Sequence, residues 1–129
     1  MGVLSSAKIR ARLSLPVTDP ASLVITPLLA GGSFDADAVD LRLGCHFILP
    51  QVPPEPALLP RIATCGKSQM RVHVPYGEYL VVPAHETVLG STLEFVKLPY
   101  DVSGQILTKS SVARTFTIIE TAPWIHPFY

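Results

Sequence analysis

Hydrophobic positions recur along this chain at two spacings, and the change from one to the other comes early. In Leu4-Ser5-Ser6-Ala7-Lys8-Ile9-Arg10-Ala11-Arg12-Leu13, a hydroxyl suited to an N-cap precedes apolar Ile9 and Leu13, four apart with basic residues between them. That pattern predicts a short amphipathic helix ending before Pro16. Beyond it the period falls toward two. Asp19-Pro20 reads as a turn, Leu23 to Ile25 as an apolar strand, Thr26-Pro27 as a break and Ala30 to Asp37 as a loop. Val39 to Gly44 alternates apolar and charged residues and runs on through Leu49, as a half-buried strand does. Val39, Leu41 and Leu43 would share one face of it. Asp40 and Arg42 would share the other, placed to satisfy each other.

The second half repeats the strand-and-turn pattern. Pro50 to Pro60, PQVPPEPALLP, reads as a rigid surface loop in polyproline conformation. Met70 to Val74 and Glu78 to Val82 are expected as strands around a hairpin turn at Pro75-Tyr76-Gly77. Thr87 to Gly90 and Thr92 to Val96 continue the series, and Leu98 to Asp101 turns into a strand at Val102 to Leu107. No internal repeat is visible.

Composition sharpens this reading. Thirteen prolines in 129 residues argue for many short strands, because Pro donates nothing to a ladder and collects at strand starts, edges and turns. The expected class is therefore all-β, with the short N-terminal helix as its main exception. At 48% hydrophobic and 16% charged residues, the chain suits one domain over residues 1–129 with a core that needs neither disulfides nor metal. A net charge of zero supplies no global field for a nucleic acid or an anionic membrane, so neither is an expected partner and any anion site must be local. Cys45 and Cys65 lack CxxC spacing, and MGVLSSAKIRARL carries cations where a secretory signal would be apolar. A reduced, cytoplasmic protein follows as the expectation. No window reaches the ~18 apolar residues of a membrane-spanning helix.

Metal and triad chemistry find little support. His46, His73, His85 and His126 fall at neither HxH nor HxxxH spacing, and Cys45 and His46 point to opposite faces of a strand, so no metal site is expected. No GxSxG elbow frames Ser110-Ser111.

The chemically distinctive stretch is Ile106 to Tyr129, ILTKSSVARTFTIIETAPWIHPFY. Lys109, the adjacent hydroxyls Ser110 and Ser111, and Arg114 are suited to a phosphate chain: short hydroxyls let the backbone approach while the two cations supply charge. The alternative is a Ser-rich turn between strands with solvated Lys109 and Arg114. On residue type alone both readings stand.

Taken in order, several segments resemble one family. Ala38-Val39-Asp40-Leu41-Arg42-Leu43-Gly44 resembles the SVDLRLG strand of the dCTP deaminase family, part of the dUTPase-like superfamily. Thr87 to Pro99 resembles that family's LAxTLExVxLP segment, Lys109 to Arg114 its GRSSLAR motif, and Thr121 to Pro127 its TAxxIDPG motif. Leu4 to Arg10 is similar to its N-terminal LSDxDIR helix. The resemblance runs over nearly the whole chain.

It implies a distorted β-barrel or jelly-roll of the dUTPase-like type, assembled as a homotrimer with shared sites. The implied reaction is hydrolytic deamination of dCTP to dUTP without zinc, with Mg²⁺ arriving on the triphosphate; some relatives also cleave dUTP to dUMP and pyrophosphate. Carried onto this chain, Ser110 and Arg114 would act at the cytosine-side water and the developing charge. Lys109 and Ser111 would lie along the phosphates, Thr121 and Ala122 would line the base pocket, and Ile125 and His126 would stand near the sugar. A tetrahedral centre at C4 is the kind of species that a fixed hydroxyl and a cation stabilise.

The departures are specific. Lys109 stands where the family has Arg, which keeps the charge and loses the bidentate fork. Thr108 replaces a glycine, and His126 replaces the aspartate of IDPG. The family's general base is a glutamate on a following strand with no counterpart before Tyr129, so the chain is expected to be C-terminally incomplete relative to the family. Glu120 is the alternative carboxylate. The second functional reading is accordingly a catalytically inactive nucleotide-binding or regulatory module of the same fold, and a third is a purely structural domain. A dUTPase fits less well, because the aspartate that would orient water falls at His126.

Overall fold

The expected N-terminal helix forms from the residues that the spacing singled out. In the computed structural model, which describes residues 2–28, 34–51, 69–120 and 122–129, α1 spans Ser6–Leu13. Ser5 precedes it in extended conformation, and its carbonyl accepts the first helical bond from the Ile9 N–H at 2.9 Å; its hydroxyl makes no capping bond. Arg10 and Arg12 lie in the last turn, where cations meet the carbonyl end of the helix. Ile9 is buried and Leu13 packs against the same cluster, so the pair four apart is the inward face.

Among the described residues the extended structure is short strands: β1 (Val24–Thr26), β2 (Leu43–Pro50), β3 (Gln69–His73), β4 (Leu89–Thr92), β5 (Phe95–Lys97), β6 (Gly104–Gln105) and β7 (Trp124–Ile125). Among them lies a further helix, α2, the single turn Ser110–Ala113. The all-β expectation holds. Among the described residues the strands form three small sheets, and no closed barrel is found. The chain divides into two compact units, residues 1–40 with 94–129, and residues 41–93.

The first unit is stitched from both ends of the sequence. β1 runs antiparallel to β5 with Val24 opposite Lys97, Ile25 opposite Val96 and Thr26 opposite Phe95. β6 pairs with β7 through Gly104–Ile125 and Gln105–Trp124. Ile9, Leu23 and Leu98 form the buried cluster, with Leu4, Ile25, Val96 and Ile125 against it. Polar contacts hold its edges. The Arg12 guanidinium donates to both carboxylate oxygens of Asp101, with Nη1 3.2 Å from Oδ1, and also to the Ala21 carbonyl at 2.9 Å. The turn at Asp19-Pro20 is made as expected: Asp19 Oδ1 accepts from the Ala21 N–H at 2.8 Å. Thr26-Pro27, expected as a break, is a cis peptide just at the end of β1.

The second unit is one antiparallel sheet in the order β3-β2-β4. Phe47 faces Val72 on one side and Gly90 on the other, and it is the buried apolar residue among those described in this unit. The register between β2 and β4 shifts between Leu43 and Phe47, a bulge in the strand.

Three expectations change. The strand expected to begin at Val39 begins at Leu43; Val39 makes only an isolated bridge to Phe34, and Leu43 is exposed. The carboxylate of Asp40, expected to face its own strand, meets Lys109 from far along the chain. Glu78 to Val82 is not a strand: backbone bonds from Glu78 N–H to the Pro75 carbonyl and from Glu86 N–H to the Pro83 carbonyl bend the chain on both sides, leaving Tyr79 and Val81 exposed. The turn at Pro75-Tyr76-Gly77 does form, with Gly77 at φ +89°, a conformation that glycine adopts without a Cβ clash. The proline-rich loop beyond Gln51, Cys65 and Thr121 lie outside the described residues.

Candidate functional site

The ladder begun by β6 and β7 continues past both strands and carries the cation–hydroxyl segment at its end. The Ile106 N–H donates to the Pro123 carbonyl at 2.9 Å. Two residues further, Thr108 Oγ1 accepts from the Ile119 N–H at 3.0 Å and donates to the Ile119 carbonyl at 3.4 Å. A side chain thus replaces the backbone rung just where the chain leaves extended geometry. The closed loop from Lys109 to Ile118 is the result.

Within that loop, α2 sets the order of the expected anion-binding residues. Lys109 is its extended N-cap residue (φ −63°, ψ 137°), and its carbonyl accepts from the Val112 and Ala113 N–H groups at 2.9 Å each. Ser110 and Ser111 open the turn, and Arg114 closes it with its N–H donated to the Ser110 carbonyl at 3.1 Å. Thr115 returns its hydroxyl to the Val112 carbonyl at 2.7 Å. All four residues are exposed, and one helical turn brings them together. The Ser-rich segment is therefore a helical turn rather than a bare strand-to-strand loop, and the β-branched run from Thr115 to Ile119 forms no strand beyond it.

A second contact reaches this loop from far away in sequence. The Lys109 ammonium donates to Asp40 Oδ2 across 69 positions, linking the two segments that resemble separate family motifs. Asp40 is held by the bridge between Phe34 and Val39 and by the Asp35 N–H donated to the Ala38 carbonyl at 3.1 Å. The pair remains well solvated, with side chains 57% and 41% exposed for Lys109 and Asp40.

The other expected residues line a groove along the same ladder. Ala122, Ile125 and His126, with Ile106, Trp124 and Pro127 to Tyr129, border a space of about 460 Å³. That falls in the range of small-molecule pockets. Its walls are mainly apolar, and Trp124 and Phe128 stand exposed beside it. No residue of α2 lines this groove, so the two halves of the expected site lie along one ladder without merging into one cavity. Thr121 falls outside the described residues. Glu120 is exposed at the base of the loop.

Two participants are not legible in the sequence. Thr108 reads there only as the replacement of a glycine, although a hydroxyl at this position is what closes the loop. Period-two alternation places Asp40 on a strand face with its i+2 neighbour, and nothing local announces a partner 69 residues away. His46 and His73 are likewise brought together, opposite each other on β2 and β3 with ring centroids 4.7 Å apart. Among the described residues, no three His, Cys, Asp or Glu side chains gather as a metal would require. No described helix is long and apolar enough to cross a membrane.

Comparison with known proteins agrees with the order of these segments. A family model described as dCTP deaminase-like matches residues 3–129. The chain is 30% identical to a protein of Methanobrevibacter smithii named dCTP deaminase, dUMP-forming, over 98% of this chain and 64% of that one. It is 32% identical to a dCTP deaminase of Halorubrum lacusprofundi over 98% of this chain and 62% of that one. A dUMP-forming dCTP deaminase of Methanosphaera stadtmanae is 30% identical over 98% and 63%, respectively. The chain thus spans less than two thirds of the length of these relatives. With the family model covering both compact units, the chain belongs to the dCTP deaminase-like family.

Proposed function

We propose that this chain carries the nucleotide-binding elements of a deaminase acting on dCTP. The observation that carries the reading is the grouping of Lys109, Ser110, Ser111 and Arg114 on one turn, closed by Thr108 and Ile119 and followed on the same ladder by the apolar groove. Lys109 and Ser111 would meet the phosphates, which arrive as the Mg²⁺ complex of the substrate. Ser110 would orient the water that attacks C4, and Arg114 would face the charge that develops there. Ala122, with Thr121, would border the base, and Ile125 and His126 the sugar.

In this reaction water adds to C4, the C4–N4 bond breaks and ammonia leaves. The expected product, dUTP, is revised toward dUMP, because relatives in Methanobrevibacter smithii and Methanosphaera stadtmanae carry dUMP-forming in their names. A second water would then release pyrophosphate. The base that activates the first water is not among the residues assigned here.

A homotrimer in the cytoplasm is the proposed form of the protein. Exposed Trp124, Phe128 and Tyr129, which border one groove, support assembly, since apolar side chains so close together are commonly covered by another subunit. The second reading, nucleotide binding without turnover, is favoured by one observation: His126 stands where the family motif has aspartate.

The test is a thermal-shift titration with dCTP, dUTP and dTTP in Mg²⁺, followed by ammonia and dUMP assays. A ligand held only by the folded state at 100 times its Kd stabilises by about 2.7 kcal/mol. A midpoint that rises with dCTP and falls back in Arg114→Ala is expected. No rise with any nucleotide overturns the reading. A rise without ammonia release selects the second one.

A further inference from the structure

The loop that we assign to phosphate already holds an anion of the protein's own. Lys109 is the first cation of that loop, and its ammonium is engaged by Asp40. Both ends of the contact are fixed by backbone bonds: Lys109 at the start of α2, and Asp40 beside the Phe34–Val39 bridge. A carboxylate oxygen and a phosphate oxygen present similar acceptors to an ammonium, and phosphate carries more charge.

We propose that Asp40 is a specificity-determining residue that acts through Lys109, occupying the lysine until a polyphosphate displaces it. This rests on the assignment of the loop to phosphate. Exchange is easy because the pair is solvated on both sides, and such pairs change an equilibrium by about fivefold or less. Discrimination follows from charge. A triphosphate offers enough negative charge to replace the carboxylate, whereas a monophosphate competes with it less well. Asp40 therefore weighs most on the ligand that displaces it. A triphosphate gives up the whole Lys109–Asp40 contact, whereas a monophosphate that leaves the pair intact gives up only the smaller lysine contact it would have made. Asp40 thus narrows the gap between nucleoside triphosphate and monophosphate and keeps Lys109 paired until a polyphosphate arrives.

The experiment measures the binding of inorganic pyrophosphate, dCMP and dCTP by calorimetry to the chain and to Asp40→Asn, Asp40→Glu, Lys109→Ala and the double variant Asp40→Asn/Lys109→Ala. Removing the carboxylate is expected to tighten pyrophosphate about two- to fivefold, and dCTP by more than dCMP. Asp40→Glu, which keeps the competing charge, is expected to stay near wild type. The gain should vanish in the Lys109→Ala background.

Unchanged or weaker pyrophosphate binding in Asp40→Asn overturns the proposal, as does an equal gain without Lys109, which would reveal a general field effect. Melting curves for each variant report folding independently, and an Asp40→Glu variant as tight as Asp40→Asn also counts against exchange. If wild type binds dCTP while Asp40→Asn changes nothing, only the role of Asp40 falls. If wild type binds no nucleotide or pyrophosphate, the functional reading falls and this proposal with it.

Discussion

Thr108 closes its loop on Ile119 with both functions of one hydroxyl, accepting the Ile119 N–H at 3.0 Å and donating to its carbonyl at 3.4 Å. Replacing it by Val keeps the shape and removes both bonds. A net loss of about 1 kcal/mol is expected, since a typical intramolecular hydrogen bond contributes 0.5–1.5 kcal/mol. The melting midpoint should drop by a few degrees. Amide exchange at Ile119 should quicken, while exchange in β2 should stay unchanged; equal quickening in both would show that the hydroxyl is not a local clamp.

Arg12 joins α1 to the turn before β6 with a fork, meeting Asp101 through two nitrogens and the Ala21 carbonyl through one of them. Arg12→Lys keeps the charge and cannot reproduce that geometry. The side chains are 27% and 35% exposed, so solvent screens the pair and a loss of about 1 kcal/mol or less is expected. Urea unfolding should show a lower midpoint with an unchanged slope. A double change with Asp101→Asn should cost less than the sum of the single changes.

Gly90 lies against the ring of Phe47, where an added Cβ would stand 3.2 Å from Cε1 and 3.3 Å from Cδ1. Gly90→Ala therefore overpacks the buried side of the second unit and should destabilise it by about 1–2 kcal/mol. Phe47→Leu should relieve part of the penalty when combined with it. Additive losses would show that the contact is not what forbids a side chain there.

Leu98 is 6% exposed in the cluster with Ile9 and Leu23. Leu98→Ala removes buried methyl groups from a small core and should cost about 2–4 kcal/mol. Chemical unfolding would check it, with a loss below 1 kcal/mol arguing that the site collapses around the smaller residue.

The elements written in local pattern were legible in the sequence. Ile9 and Leu13 sit one turn apart, so the helical face is contained in five residues; Asp19-Pro20 and Pro75-Tyr76-Gly77 carry their own turn chemistry. The loop residues Lys109, Ser110, Ser111 and Arg114 were legible as a group, by residue type and by resemblance. Their conformation was not, because one helical turn of Ser-Ser-Val-Ala has little intrinsic preference for helix and depends on the bonds around it. Glu78 to Val82 failed for the opposite reason. Its residues favour strands, but a strand exists only where a partner edge is offered, and propensity does not report that. Asp40 shows the same gap in electrostatics: its partner is set by the path of the chain.

The interleaving of the two units has a kinetic meaning. Residues 41–93 interrupt the first unit, whose β1–β5 pairing must bring Val24 to Lys97. Every ladder of the second unit lies inside the interruption, so its contacts are nearer in sequence and its closure entropy is smaller. Sheet formation should therefore start in the local ladders, β6–β7 and those of the second unit, and end at the β1–β5 pairing. Contacts of large sequence separation slow folding, which makes the β1–β5 seam the late event. Lengthening the segment between β2 and β3 leaves that order intact and costs little, because closure entropy grows only with the logarithm of loop length.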